Sequence, residues 1–186
     1  MVEFDVRPWR LQLVLAHTVL DASAGRSVRL QDALAHLASR RFRDIGLNVD
    51  VKHVGCERAL LDELGRAHLL RRTLLSSQVP AVLDRVREFE PGARIGVSIG
   101  GWLPRVCHRW RDWRAQVLAG LTARRWDVAM VQYGLIDAPL LEAVEDRGGR
   151  LYAWTVNDRA LIQSLRVLGV HGITTADPRL FVSIAS

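Results

Sequence analysis

Lysine is almost missing from this chain: of its 26 basic residues Lys52 alone is lysine, and the rest are arginine. A bias of that kind reflects coding composition, so a typical arginine here carries little message. The one lysine stands where a compact charge with a tunable pKa can serve better than arginine's wide fixed fork. Cysteine is scarce as well. Cys56 and Cys107 sit in no metal-like spacing, which excludes a disulfide scaffold and a zinc ribbon and points to free thiols in a reducing compartment. No apolar run approaches the ~18 residues of a membrane span. Glu3, Asp5, Arg7 and Arg10 crowd the start, unlike a secretory leader, so a cytoplasmic protein is expected. No G-x-G-x-x-G opens a helix, which argues against dinucleotide binding. Low-complexity linkers are absent too, and 186 residues, 49% apolar and 25% charged, are expected to form one globular domain over 1–186.

What is present is a regular alternation. Strand-like runs fall at 2–6, 11–16, 47–52, 73–77, 94–99, 127–132, 150–156 and 172–175. Segments with helical spacing fall at 30–41, 56–70, 79–89, 105–124, 138–147 and 158–168. Gly148 and Gly149 end one helix, Asn157 is expected to N-cap the next, Gly169 to close it, and Asp177-Pro178 to open a short last helix. This predicts a parallel α/β sheet with outer helices, either doubly wound or closed as a barrel. The first two strands break the rhythm. The segment between them is too short for a crossover, so they are expected to form an antiparallel hairpin, and a turn centred near residue 10 puts His17 roughly across from Glu3.

Glu3 and Asp5, two apart on a strand, project to one face, and Asp50 and Lys52 repeat the pattern on another strand. Bare carboxylates in a barrel interior repel and raise one another's pKa. A hard divalent cation, Mg²⁺ or Ca²⁺, held by Glu3, Asp5 and Asp50 resolves that repulsion. His17 beside them is suited to move protons near neutral pH, and Lys52 to hold an anionic substrate group. The competing reading of Glu3 and Asp5 is a solvated strand face. The net charge of +6 admits nucleic acid, anionic lipid or a phosphorylated substrate. Trp102, Trp110, Trp113 and Trp126, interleaved with arginines, suggest a polyanion surface, but Val106, Trp110, Trp113 and Val117 follow a helical core stripe, so no nucleic acid partner is expected. Trp102, after Gly100-Gly101, is either a pocket residue or a packed loop residue. His36, His53, His68, His108 and His171 lack partners by spacing, and Ser76-Ser77 reads as strand-end structure.

The succession V-E-F-D-V, L-V-L-A-H, N-V-D-V-K, L-L-S-S, A-W-T-V-N-D and G-V-H-G-I-T-T-A-D-P resembles the glycerophosphodiester phosphodiesterases along essentially the whole chain. The resemblance implies a (β/α)₈ TIM-barrel with its site at the C-terminal strand ends. It implies metal-dependent hydrolysis of glycerophosphodiesters, a small-molecule substrate from lipid metabolism, to an alcohol and glycerol 3-phosphate. It further implies that Glu3, Asp5 and Asp50 bind the metal, that His17 is a catalytic acid or base, that Lys52 lies near the phosphate, and that Trp154 lies by the substrate pocket. The family's opening strand with H-R-G, and the P-E-N-T helix start after it, have no counterpart here. An incomplete barrel, lacking the first strand and helix, is therefore expected, with open edges through which copies can associate. The family's H-D is His17-Thr18, and its third acidic ligand, a glutamate, is Asp50, which draws the carboxylate back by about 1.5 Å. The alternative is a non-catalytic barrel remnant that binds anionic partners through its basic surface.

Overall fold

The computed structural model describes residues 1–101 and 112–184. The expectations placed on Trp102, Val106, Cys107, His108 and Trp110 lie outside them. The chain forms two compact units, Met1–Gly96 and Val97–Ser186. The first unit contains β1 (Val2–Trp9), β2 (Gln12–Leu15), α1 (Val19–Ser23), α2 (Leu30–Leu37), β3 (Leu47–Val51), α3 (Glu57–Arg66), β4 (Thr73–Ser77), α4 (Pro80–Phe89) and the start of β5 (Arg94–Ile99). The second contains α5 (Trp113–Thr122), β6 (Val128–Gln132), α6 (Ala138–Glu145), β7 (Arg150–Trp154), α7 (Arg159–Leu168), β8 (Gly172–Ile173) and a closing 3₁₀ segment, Pro178–Ile184.

The hydrogen-bonded strand order is β2-β1-β3-β4-β5-β6-β7-β8. Pairing is antiparallel in the β1–β2 hairpin and parallel for β1–β3, β3–β4, β6–β7 and β7–β8. With a helix following each of β3, β4, β6 and β7, this is the succession of a (β/α)₈-type barrel, incomplete in that the order ends at β2 and β8 among the described residues. The parallel strands are buried on both faces: all five residues of β4 are buried, and β3 buries Leu47, Val49 and Val51 on one face while Asn48 and Asp50 occupy the other. The helices each bury one stripe, Leu60, Leu61 and Leu64 on α3 and Val82, Leu83 and Val86 on α4. No helix among the described residues is long and apolar enough to cross a membrane.

Three local expectations change. β1 runs on through Pro8 to Trp9 instead of stopping at Val6. Its β3 pairing ends at Val6, so the extension has a partner on one side only, where proline is tolerated. The hairpin then closes on a two-residue loop, Arg10-Leu11, because Trp9 pairs with Gln12, and Arg10 takes the positive φ of 53° that such a loop demands. That loop is centred between residues 10 and 11, so the register shifts from the expected one and His17 comes to Asp5, not Glu3. The third change concerns α7. Its N-cap is Asp158, whose carboxylate accepts from Leu161 N, while Asn157 ties β7's end to the β8 loop by accepting from Thr175 and Ala176. Gly169 closes α7 in the left-handed region, as expected.

Candidate active site

Parallel register builds the site. Asp5 pairs with Asp50, and Glu3 with Asn48, so the acidic side chains of two neighbouring strands share one face. Oxygen atoms of Glu3, Asp5 and Asp50 all lie within 4.8 Å of one another. Lys52, one residue past β3, is held at the same edge by its amide, which donates to Val6 O at 3.1 Å. Its ammonium lies 2.9 Å from Asp5 Oδ1 and 2.6 Å from Asp50 Oδ2. His17, at the end of the hairpin's return, places Nδ1 2.7 Å from Asp5 Oδ2. Asp5 is thus the hub, with one oxygen on lysine and the other on histidine.

The electrostatics follow from this crowding. Burial, then the charges of Asp5 and Asp50, push the Glu3 carboxyl up to about 7 although its side chain keeps a face to solvent. Burial also raises Asp50, against the opposing pull of Lys52. Burial alone would lower the Lys52 ammonium, but the attraction and hydrogen bonds of Asp50 and Asp5 outweigh it and hold lysine charged. Asp50 Oδ1 is buried with no hydrogen-bond partner among the described residues. An orphaned carboxylate oxygen beside two further carboxylates is the donor set of a hard cation, all oxygen and negatively charged. The residues present fit a divalent metal ion.

The structure therefore brings together five of the residues singled out by sequence: Glu3, Asp5, His17, Asp50 and Lys52. Trp154 belongs to the second unit. It ends β7, its ring lies where a side chain on Gly100 would have to go, 2.6 Å from an added Cβ, and its buried Nε1 has no hydrogen-bond partner among the described residues. Ser77 is structural as read, donating to Val51 O and accepting from Val79 N. His53 turns its Nδ1 onto the neighbouring Val54 O at 2.6 Å. Cys56 is a buried free thiol that burial pushes up to about 11, which makes it unreactive.

Two features escaped the sequence reading. Thr18 and Asp21 form a reciprocal capping box that starts α1 directly after His17. The T-x-x-D spacing signals it, but the helix is too short for periodicity to reveal. Arg7 continues the Glu3–Asp5 face by two residues and donates from Nε to His17 O at 3.0 Å. Among so many arginines nothing marked it.

Comparison with known proteins bears on family and fold, and the family match begins after Glu3, Asp5, His17, Asp50 and Lys52. The glycerophosphoryl diester phosphodiesterase family matches residues 57–180. A glycerophosphodiester phosphodiesterase of Arabidopsis thaliana is 39% identical over 54 residues, 29% of this chain and only 16% of the relative's length. Among solved structures, a glycerophosphodiester phosphodiesterase of Galdieria sulphuraria superposes with a TM-score of 0.79 at 16% identity, covering 98% of this chain and 84% of its own. An Oleispira antarctica phosphodiesterase, solved with its product sn-glycerol 3-phosphate, gives 0.77 at 17% identity over 100% and 85%. At these identities the structural likeness establishes the fold.

Proposed function

The chain belongs to the glycerophosphoryl diester phosphodiesterase family, and from that premise we propose that it is a metal-dependent hydrolase of glycerophosphodiesters, releasing an alcohol and glycerol 3-phosphate. The observation that carries the reading is the convergence of Glu3, Asp5 and Asp50 within 4.8 Å, with Lys52 and His17 both on Asp5. Glu3, Asp5 and Asp50 would hold Mg²⁺ or Ca²⁺, which when bound supplies charge to polarise the phosphodiester.

The remaining work falls to the chain's own groups. Asp5 accepts from Nδ1–H of His17, which fixes the tautomer and leaves Nε2 to take a proton from the attacking water or return one to the departing alcohol. His17 is exposed, so Nε2 can meet substrate. Lys52 spends two of its three N–H groups on Asp5 and Asp50 and keeps one for a phosphate oxygen. The P–O bond to the alcohol breaks, the water oxygen joins phosphorus, and the proton balance passes through His17.

The test is release of sn-glycerol 3-phosphate from a glycerophosphodiester with Mg²⁺ or Ca²⁺ and its loss in EDTA. Glu3→Gln and Asp5→Asn should abolish both turnover and the rise in melting temperature that the metal causes. His17→Ala should keep the metal-dependent rise and lose roughly 10²–10⁴ in rate. A second reading, a non-catalytic binder of anions, is favoured by one observation, that Lys52 is already paired with both Asp5 and Asp50, two of the carboxylates a metal ion would need. Phosphate-ester binding with no release under either metal would select it.

A further inference from the structure

Beside the carboxylate cluster lies a pocket of about 280 Å³ lined by Arg7, His17, Thr18, Lys52, Ser77 and Gln78, with Val51 and Val79. Its polar walls come from the C-terminal ends of three consecutive strands in the sheet, β1, β3 and β4, and from the hairpin's return. Most of these polar groups are already engaged. Ser77 is bonded to backbone on both sides, Thr18 is occupied by Asp21, Lys52 is matched by two carboxylates, and His17 faces Asp5.

Arg7 differs. Its Nε donates to His17 O, and it makes no ion pair with a carboxylate among the described residues. The acid that senses it, Asp21, has its carboxylate taken by Thr18 and feels Arg7 only as a weaker, more distant charge. The guanidinium is thereby oriented through Nε, with both terminal nitrogens left to the pocket. A half-buried, oriented and uncompensated guanidinium fork is built for a tetrahedral oxyanion. The charge balance requires such a group: Glu3, Asp5 and Asp50 against one lysine repel any phosphate that approaches. Two residues along an extended strand, about 6.8 Å of rise, set Arg7 beyond that cluster while keeping it on the same face.

We infer that Arg7 is the phosphate-gripping residue of this pocket, binding the non-bridging oxygens of a phosphate ester through its two terminal nitrogens, with Gln78 and the spare N–H of Lys52 as secondary donors. The ligand class, a phosphate mono- or diester, deepens the hydrolase reading, but the subsite itself stands apart from turnover.

The experiment is calorimetric titration of the full chain with inorganic phosphate and with sn-glycerol 3-phosphate, in EDTA at low ionic strength. Arg7→Met should weaken both by roughly 10-fold or more, as losing a charge-assisted pair does. Arg7→Lys should fall between, since it keeps the charge without the fork. Arg166→Met, an exposed arginine on α7, removes the same charge and should bind as the parent does. The inference is overturned if the parent binds neither ligand, if Arg7→Met binds as well as the parent, or if Arg166→Met is weakened equally. A lowered melting temperature in Arg7→Met with unchanged affinity would reduce Arg7 to a hairpin strut and likewise overturn it. Arg7-dependent binding in a chain without turnover would uphold the subsite and remove the hydrolase reading. Turnover with Arg7-independent binding would do the reverse.

Discussion

Burial and two neighbouring carboxylates place the titration of Glu3 near neutral pH. Its pKa of about 7 in the folded chain stands above the 4.5 of an unperturbed glutamate. A raised acid pKa means that the folded state holds more protons than the unfolded state across that interval, so stability falls as pH rises from about 4.5 through about 7. In EDTA, melting temperature should therefore decline over this window, and Glu3→Gln, which cannot ionise, should flatten the decline. Solvent at the exposed side chain screens the effect, so the slope should stay below the limit of about 1.4 kcal/mol per pH unit for one proton. An identical slope in Glu3→Gln would assign the pH response to another group. At this scale the sequence was a good guide where residue type was rare or paired. Lys52 stood out as the single lysine, and Glu3-x-Asp5 and Asp50-x-Lys52 declared their common faces through the two-residue period of a strand. Arg7 obeys the same period and was passed over, because one arginine among so many carries no contrast.

Elements were legible where their signal was periodic. The interior strands and the helices α3, α4 and α7 emerge close to their expected bounds. The hairpin did not, since its register depends on whether the loop is centred on a residue or between two, and apolar alternation cannot distinguish these across a strand containing proline. That single choice decides whether His17 meets Glu3 or Asp5. Helix α5 shows packing overruling propensity. Gly120 sits in its interior, where alanine would ordinarily gain about 1 kcal/mol. A Cβ there would lie 2.0 Å from the ring of Trp126, which is buried and donates Nε1 to Val117 O. The ring cannot yield without surrendering that bond. Gly120→Ala should therefore destabilise the chain, by about 1–3 kcal/mol as overpacking does, with α5's helicity retained in the far ultraviolet. A raised melting temperature would show that Trp126 has room to move.

For the whole molecule, strand–helix alternation and short apolar strands implied a parallel α/β sheet with outer helices, doubly wound or closed, and only the family resemblance chose the barrel. The chemistry was less accessible. Side chains distant in sequence meet only through register, so the 2.6 Å contact of Lys52 with Asp50 could be guessed from spacing, while the joint hold of lysine and histidine on Asp5 could not. Charge acts at a longer range than any of these contacts. The chain carries +6 at pH 7, whereas the proposed substrate is an anion and the acidic cluster it must approach is locally repulsive. A basic molecular field would raise the encounter rate and leave the bound state's chemistry untouched. Salt shortens that field, from a Debye length of about 30 Å at 0.01 M to about 8 Å at 0.15 M. With a soluble glycerophosphodiester, kcat/KM should thus fall as salt is raised over this range while kcat holds steady, provided the metal is saturating. If kcat falls in parallel, salt is acting on the site itself, on the metal or on the Lys52 pairs, and long-range attraction is not what the arginine-rich surface supplies.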